Sequence, residues 1–309
     1  SGADAGDIRR GYAVNTIRTV EVKSAMSGRL TLVGTPIGNL SDMSPRAVEA
    51  LEACDFIAAE DTRVTLRLLN HFGVKKPLVS YYEHNLRERG QMILTRILDG
   101  EDCAIVTDAG MPCISDPGED LVRLCAENGV ETVVVPGPSA AVAALAVSGL
   151  STARFSFEGF LSVKRSSRME HLEQARTQTA TMIFYEAPHK LCATLRDMLS
   201  AFGDRRVTLA RELTKLHEQV HRTTLAQAVQ YYEENPPRGE FVLIVEGARP
   251  ARDEAAGFDE AVGMLLERAQ QGAPLSQAAR DIAKQTGHPK GALYKAALKQ
   301  RGPAGDEDL

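Results

Sequence analysis

Tryptophan is absent from the 309 residues, and aromatic residues make up only 5% of them. The five cysteines (Cys54, Cys103, Cys113, Cys125 and Cys192) are odd in number and contain no C-x-x-C pair. That argues against a disulfide framework or a cysteine zinc cage and reads as the reduced thiols of a cytoplasmic protein. No apolar run approaches the roughly 18–20 residues of a membrane span; the longest, Ala140–Val147, is short and alanine-rich. The start, Ser1–Met26, has scattered charges and no signal-peptide core, so residues 1–28 are set apart as a flexible extension. Neither sign of charge dominates. The 36 Lys+Arg against 41 Asp+Glu leave −5, which on net charge alone disfavours a nucleic-acid partner.

What remains is ordinary globular material. A 43% hydrophobic and 25% charged composition excludes wholesale disorder, and the length suits about two domains at ~100–200 residues each. Leu30–Val33, Phe56–Ala59, Ala104–Val106 and Thr132–Val135 are short apolar runs ending in loops, as buried parallel strands do. Between them lie helical stretches: one opened by Ser44-Pro45, then Val64–Phe72, Glu88–Leu98, Gly118–Asn128 and Ser139–Val147. The alternation predicts an α/β domain over 29–149 with an open sheet and right-handed crossovers. Near Gly149–Ser151 a second α/β domain begins (150–248), with strands at Phe155–Gly159, Thr181–Tyr185, Val207–Ala210 and Phe241–Val245. Helices at Ser166–Thr177, His189–Ala201 and Thr224–Glu234 separate those strands, and Arg249–Gly257 is a linker.

A helical tail follows at 258–302, with helix-turn-helix spacing around Thr-Gly-His-Pro. From Leu275 to Arg301 it carries Arg280, Lys284, Lys290, Lys295, Lys299 and Arg301 against one acid, Asp281, for a local +5. Such a face is either simply solvated or a contact for a nucleic-acid backbone. The charge total therefore averages an acidic body with a basic end.

Every unusual loop falls at a strand's C-terminal end, where open α/β sheets bind ligands. GTPIGN (34–39) fits neither a dinucleotide fingerprint nor a P-loop. TDAGMPCISDPG (107–118) packs two Asp, two Gly and two Pro into one connection, suited to offering main-chain groups to a small polar ligand, or else an elaborate capped turn. PGPSAA (136–141) places Ser139 to cap the next helix, whose free N–H groups suit a carboxylate. AEDTR supplies Glu60, Asp61 and Arg63, as an ion pair or as a site, and YYEHN supplies His84 and Asn85. His217-Glu-Gln-Val-His221 is literally the H-E-x-x-H zinc string. It follows a strand closely, however, and has no evident third ligand. Arg211–Lys215 is another charged strand-end loop, and in FYEAPHK Tyr185 can stack on a planar group while Glu186 binds hydroxyls.

GTPIGNL, AEDTR, TDAGMPCISDPG, VPGPSAA, FYEAPHK, ARELTK and GEFVLIV, in this order, identify the chain as resembling the tetrapyrrole-methylase superfamily of S-adenosylmethionine enzymes. More closely, it is similar to the branch that methylates the ribose 2′-oxygen of a cytidine in the decoding region of small-subunit ribosomal RNA. The resemblance implies two α/β domains with the cofactor in the cleft between them, a homodimer, and no metal or membrane. It also implies that Asp108, Ala109, Gly110, Met111, Ile114 and Ser115 hold the methionine portion of the cofactor. Ser139, Ala140, Phe184, Tyr185, Glu212 and Leu213 would enclose its adenosine. The RNA, naked or in an assembled small subunit, would meet Pro36, Gly38, Asn39, Glu60 and Asn85, with Arg280, Lys284, Lys290 and Lys295 from the tail. His84 or Asp61 is expected to remove the hydroxyl proton, and Arg63 or Lys215 to grip phosphate or ribose. Three competing readings are a tetrapyrrole methyltransferase, a zinc hydrolase through HEQVH, and a non-enzymatic RNA-binding protein.

Overall fold

In the computed structural model, residues 27–248 and 257–301 are described; the expected extension up to residue 26 and most of the expected linker lie outside them. The chain divides into two compact units. The first comprises the residues up to Val147 together with Ala210–Val220 and Gly239–Val242. The second comprises Ser148–Leu209, His221–Arg238 and the residues from Leu243 on.

The first sheet is assembled from β1 (Leu30–Val33), α1 (Pro45–Ala53), β2 (Phe56–Ala59), α2 (Thr62–Phe72), β3 (Leu78–Ser80), α3 (Leu86–Leu98), β4 (Cys103–Val106), α4 (Glu119–Glu127), β5 (Thr132–Val135) and α5 (Ala140–Ser148). Its strand order is β3-β2-β4-β1-β5, and all the pairings are parallel. Local chemistry starts and stops these elements. Ser44 Oγ accepts the Ala47 N–H at 3.1 Å ahead of Pro45, and Gly73, at φ 73°, closes α2 in the left-handed conformation.

The inner strands β2, β4 and β1 read as continuous apolar runs because both faces are buried. Phe56 and Ala58 of β2, with Cys103 and Ile105 of β4, pack with Ile93, Leu94 and Ile97 of α3 and Leu121 and Cys125 of α4. The alternate residues Ile57, Ala59, Ala104 and Val106 pack with Ala47 and Leu51 of α1 and Leu69 of α2. Thus α1 and α2 cover one face, and α3 and α4 the other.

The second sheet contains β6 (Phe155–Phe160), β7 (Thr181–Glu186), β8 (Arg206–Arg211), β9 (Gln219–Thr224) and β10 (Phe241–Val245), in the order β6-β7-β10-β8-β9. The intervening helices are α6 (Arg165–Ala175), α7 (Pro188–Phe202) and α8 (Leu225–Glu234). The tail forms α9 (Phe258–Gln270), α10 (Leu275–Thr286) and α11 (Lys290–Arg301). These three helices share a core of Ala261, Val262, Leu265, Ala278, Ala279, Ile282, Leu293 and Ala297. Gly287, at φ 74°, ends α10, and Pro289 precedes α11.

Two strands escape a reading of the sequence. β3 has only three residues, all half-buried at the sheet edge, and too few alternations to register as a period. β9 carries half of the zinc-like string. His217 lies in a turn and His221 in the strand, so the one-face helical presentation that an H-E-x-x-H zinc site requires is missing.

Candidate functional site

Connections from β1 and β4 leave in opposite directions, β1 through α1 to β2 and β4 through α4 to β5. Adjacent parallel strands that diverge in this way open a crevice at their C-terminal ends. The two least ordinary loops, 34–39 and 107–118, follow these two strands. They are tied together: the Thr35 N–H donates to Gly110 O at 2.9 Å, and the Gly110 N–H returns to Thr35 O at 3.1 Å. The Thr35 hydroxyl faces the carbonyls of Thr107 and Gly110 at 3.3 and 3.4 Å.

The loop after β5 interlocks with both. A Cβ on Gly34 would lie 2.6 Å from Gly137 N and Cα and 2.7 Å from Met111 Sδ, so only glycine permits this approach. The Gly137 N–H donates to Met111 Sδ at 3.3 Å. Within the 107–118 loop, Cys113 and Ser115 adopt left-handed backbone at φ 71° and 63°. Non-glycine residues held this way cost of order 1–3 kcal/mol each, and such strain concentrates at ligand-binding turns. Burial pushes the Cys113 thiol up to about 11, which removes it as a nucleophile at neutral pH.

The 210–220 segment of the first unit closes on the β1 loop. A Cβ on Gly38 would meet Lys215 Cγ at 2.5 Å and Thr214 Oγ1 at 2.9 Å. Lys215 Nζ binds Glu212 Oε1 at 3.0 Å and Glu240 Oε2 at 2.9 Å. Burial alone would lower this ammonium, but its two carboxylate partners outweigh that and raise it. Glu212 and Thr214 are also left-handed, at φ 51° and 66°, and the Thr214 hydroxyl is buried with no hydrogen-bond partner among the described residues. Asn39 accepts the Ser41 N–H at 3.0 Å and opens a short 3-10 turn.

Acidic groups gather where β2 and β4 lie side by side. The Thr107 hydroxyl donates to Glu60 Oε2 at 2.7 Å, and the Asp61 N–H donates to Asp108 Oδ1 at 3.1 Å. Burial, reinforced by the Glu60 charge, raises the Asp108 carboxyl. Burial and then Glu60 push Asp116 up to about 6, with the Thr107 hydroxyl opposing. Asp61 differs. Its carboxylate receives Arg63 Nη2 at 2.6 Å, Nε at 3.0 Å and the Arg63 backbone N–H at 2.8 Å. This fork holds it well below the usual carboxylate range. Among the described residues no cluster of His, Cys, Asp and Glu is arranged to hold a metal.

Most expected site residues of the first unit therefore fall in interlocking loops. His84 and Asn85 follow β3, two strands from β4. Asn85 supports its loop by accepting the Tyr82 N–H at 2.9 Å and donating to Ser80 O at 3.2 Å, and His84 is exposed beside the Tyr82 ring. In the second unit Phe184 is fully buried, so its side chain belongs to the core, while Tyr185 is half-buried. Glu186 is also buried, accepting from Thr194 Oγ1 at 2.5 Å and the Ala187 N–H at 2.9 Å, which makes it a structural brace rather than a hydroxyl-binding group. Arg280, Lys284, Lys290 and Lys295 all lie exposed on α10 and α11. Sequence reasoning missed Asp116 as a distinct titrating group, although it stands inside a loop already marked by its Asp, Gly and Pro content.

A family described as "Tetrapyrrole (Corrin/Porphyrin) Methylases" matches residues 29–229, and one described as "RsmI C-terminal HTH domain" matches 256–301. The chain is 47% identical over 273 residues to "Ribosomal RNA small subunit methyltransferase I" of Synechocystis sp. (strain PCC 6803), covering 88% of this chain and 98% of that protein. It is 43% identical over 278 residues to the protein of the same name from Escherichia coli O157:H7, covering 89% and 96%. Among solved structures it resembles the methyltransferase CobJ (TM-score 0.56, 19% identity, 73% of this chain and 97% of that one). It also resembles diphthine synthase (TM-score 0.54, 16% identity, 71% and 90%). The structural likenesses carry the fold alone.

Proposed function

The chain belongs to the tetrapyrrole methylase family, and we propose that it transfers a methyl group from S-adenosylmethionine to the 2′-oxygen of a cytidine ribose in small-subunit ribosomal RNA. The observation that carries this reading is the interlock of the β1, β4 and β5 loops at the divergence of β1 and β4. It stands in a chain that matches curated ribosomal RNA small subunit methyltransferases along most of its length.

The residues present suit that cofactor. Gly34 and Gly137 approach too closely for any Cβ, leaving main-chain groups as the loop surface, and the buried Thr214 hydroxyl finds no hydrogen-bond partner among the described residues. In this reading Asp108–Met111 with Ile114 and Ser115 hold the amino-acid end through backbone groups, and Ser139, Ala140, Glu212 and Leu213 enclose the nucleoside. The bound sulfonium supplies an already activated methyl group, so the protein's work is alignment and proton removal.

Ribose hydroxyls are weak acids, and a positioned acceptor helps. Asp61 is poorly suited, because its pairing with Arg63 lowers its affinity for a proton. His84 sits two strands away from the crevice. Asp116 lies within the β4 loop with a carboxyl near neutrality, and we assign it as the acceptor. Arg63, whose side chain is 87% exposed, faces the RNA as a phosphate ligand. Lys215, clamped by two carboxylates, positions the β1 loop. The basic faces of α10 and α11 hold the RNA backbone, and the protein acts as a cytoplasmic homodimer on assembled small subunits.

The test is incubation of undermethylated small subunits with labelled S-adenosylmethionine, followed by mapping of the modified nucleotide. A single 2′-O-methylcytidine in the decoding region is expected, and label on a base or no label at all refutes the reading. His84→Ala should retain turnover while Asp116→Asn loses it; the reverse result overturns the proton assignment.

A further inference from the structure

We propose that the second unit carries a stacking platform for an unpaired base of the substrate RNA, formed by Phe160, with Lys164 and Arg165 beside it for the neighbouring phosphates. The proposal rests on the RNA-methyltransferase reading and adds to it a contact surface outside the crevice of the first unit. Phe160 ends β6, and 56% of its surface is open to solvent. It is nonetheless held in place: its ring centroid lies 5.4 Å from that of Tyr185, which lies 5.1 Å from that of Phe157, both pairs edge-on.

That arrangement depends on an irregularity. In a regular strand, residues 157 and 160 point to opposite faces. The register of β6 against β7 shifts between Phe157 and Gly159, so both rings reach Tyr185 on one face. Glu158 instead meets His171 Nε2 at 2.9 Å.

The following loop is equally fixed. Leu161 is buried beneath it. Arg168, itself buried, donates from Nη1 to the carbonyls of Ser162 and Val163 at 3.0 and 3.1 Å, and from Nε and Nη2 to Asp197 Oδ2 at 2.9 and 2.7 Å. A buried guanidinium spent on bracing a short loop is weakly explained by stability alone. The braced loop holds up exposed side chains: Val163 at 77% exposure, Lys164, and Arg165 at 71% side-chain exposure. Asp197 already pairs with Arg168 and also receives Arg165 at 3.1 Å, so two guanidinium groups share one carboxylate and the loop keeps excess positive charge.

A rigid, half-open aromatic ring with Lys190 Nζ 5.9 Å from its centroid, followed in the chain by a braced loop that exposes two more cations, is an arrangement that takes a splayed base on its open side and the adjoining phosphates beyond it. A second copy of this chain fits less well, since a two-fold contact centred here would set Lys164 and Arg165 against their own counterparts.

The experiment is steady-state methylation of isolated small subunits by the full-length protein and by F160L, F160W and K164A. Affinity for S-adenosylmethionine is measured by calorimetry, and molecular mass by sedimentation. F160L should raise KM for the subunits about 10-fold, the scale of one lost base stack, with cofactor affinity and mass unchanged. F160W should stay within about 2-fold of wild type because it keeps a π-face, and K164A should weaken the salt dependence of KM. An unchanged KM in F160L overturns the platform, as does a change of mass in F160L, which would assign the surface to self-association. Wild-type protein that fails to methylate small subunits would refute the enzymatic reading itself, an outcome distinct from either of these.

Discussion

Replacing Asp116 by asparagine is expected to stabilise the protein at neutral pH and to leave it unchanged below about pH 4. Burial and the neighbouring Glu60 carboxylate raise this aspartate from its ordinary 3.8 to about 6. Its charged form is therefore disfavoured in the folded protein relative to the unfolded chain. The favourable contribution of the protonated group is fully present below the unfolded value and is lost as pH rises through about 6. A shift of about two units corresponds to at most ~3 kcal/mol, and partial solvent access trims that to about 1–2 kcal/mol. Asparagine cannot ionise, so the variant escapes the penalty. The assay is the thermal midpoint of wild type and D116N, measured in parallel from pH 4 to pH 8. Their difference should be close to zero at pH 4, rise between pH 4 and 6, and level off above 7. The rise should amount to roughly 2–4 °C per kcal/mol for a domain of this size. A flat difference, or one that falls with pH, would refute the placement of Asp116 in a carboxylate cluster. The same variant should lose turnover while gaining stability, as expected when a site carries a strained charge for function.

Two further predictions concern the loops and the tail. Gly34→Ala should forbid the approach of the β1 and β5 loops, because the added Cβ would lie 2.6 Å from Gly137 backbone atoms. We expect a loss of about 1–3 kcal/mol in stability and at least a tenfold loss of S-adenosylmethionine affinity by calorimetry; wild-type affinity would remove the interlock from the cofactor site. Neutralising Arg280, Lys284, Lys290 and Lys295 together should leave cofactor affinity intact, because these side chains are exposed on helices with their own core. The subunit KM should rise and the salt slope of binding should flatten by up to about four phosphate contacts; an unaltered slope measured on subunits would assign the tail to packing alone.

Much of this molecule is legible in its sequence because burial on both faces writes a simple pattern. β1, β2 and β4 appear as short apolar runs, since alternate residues of each strand fall in different core clusters, while β5, at the edge, is legible from its β-branched Thr-Val-Val-Val run. The ligand loops declare themselves through glycine and proline, which a tight connection needs and an ordinary turn does not accumulate. β3 and β9 are not legible: one is too short for a period, and the other, Gln219–Thr224, mixes polar and β-branched residues at an edge. The H-E-x-x-H string shows the reverse problem. Spacing alone suggests a helical metal site, and a turn followed by a strand separates its two histidines onto different elements.

The sequence by itself determined most of the alternation of strands and helices, the place of the 34–39, 107–118 and 136–141 loops at strand ends, and the basic tail that the net charge conceals. These are local properties, fixed by residue type and short-range period. Only the tertiary structure decided which loops meet. Glu60 reaches Thr107 and Asp116 because β2 lies beside β4, and Gly34 touches Gly137 because β1 lies beside β5. Strand order is set by crossovers that no local period encodes. The proton affinity of Asp116 and the clamping of Asp61 by Arg63 follow from it, because charge interaction depends on distance through space and on burial.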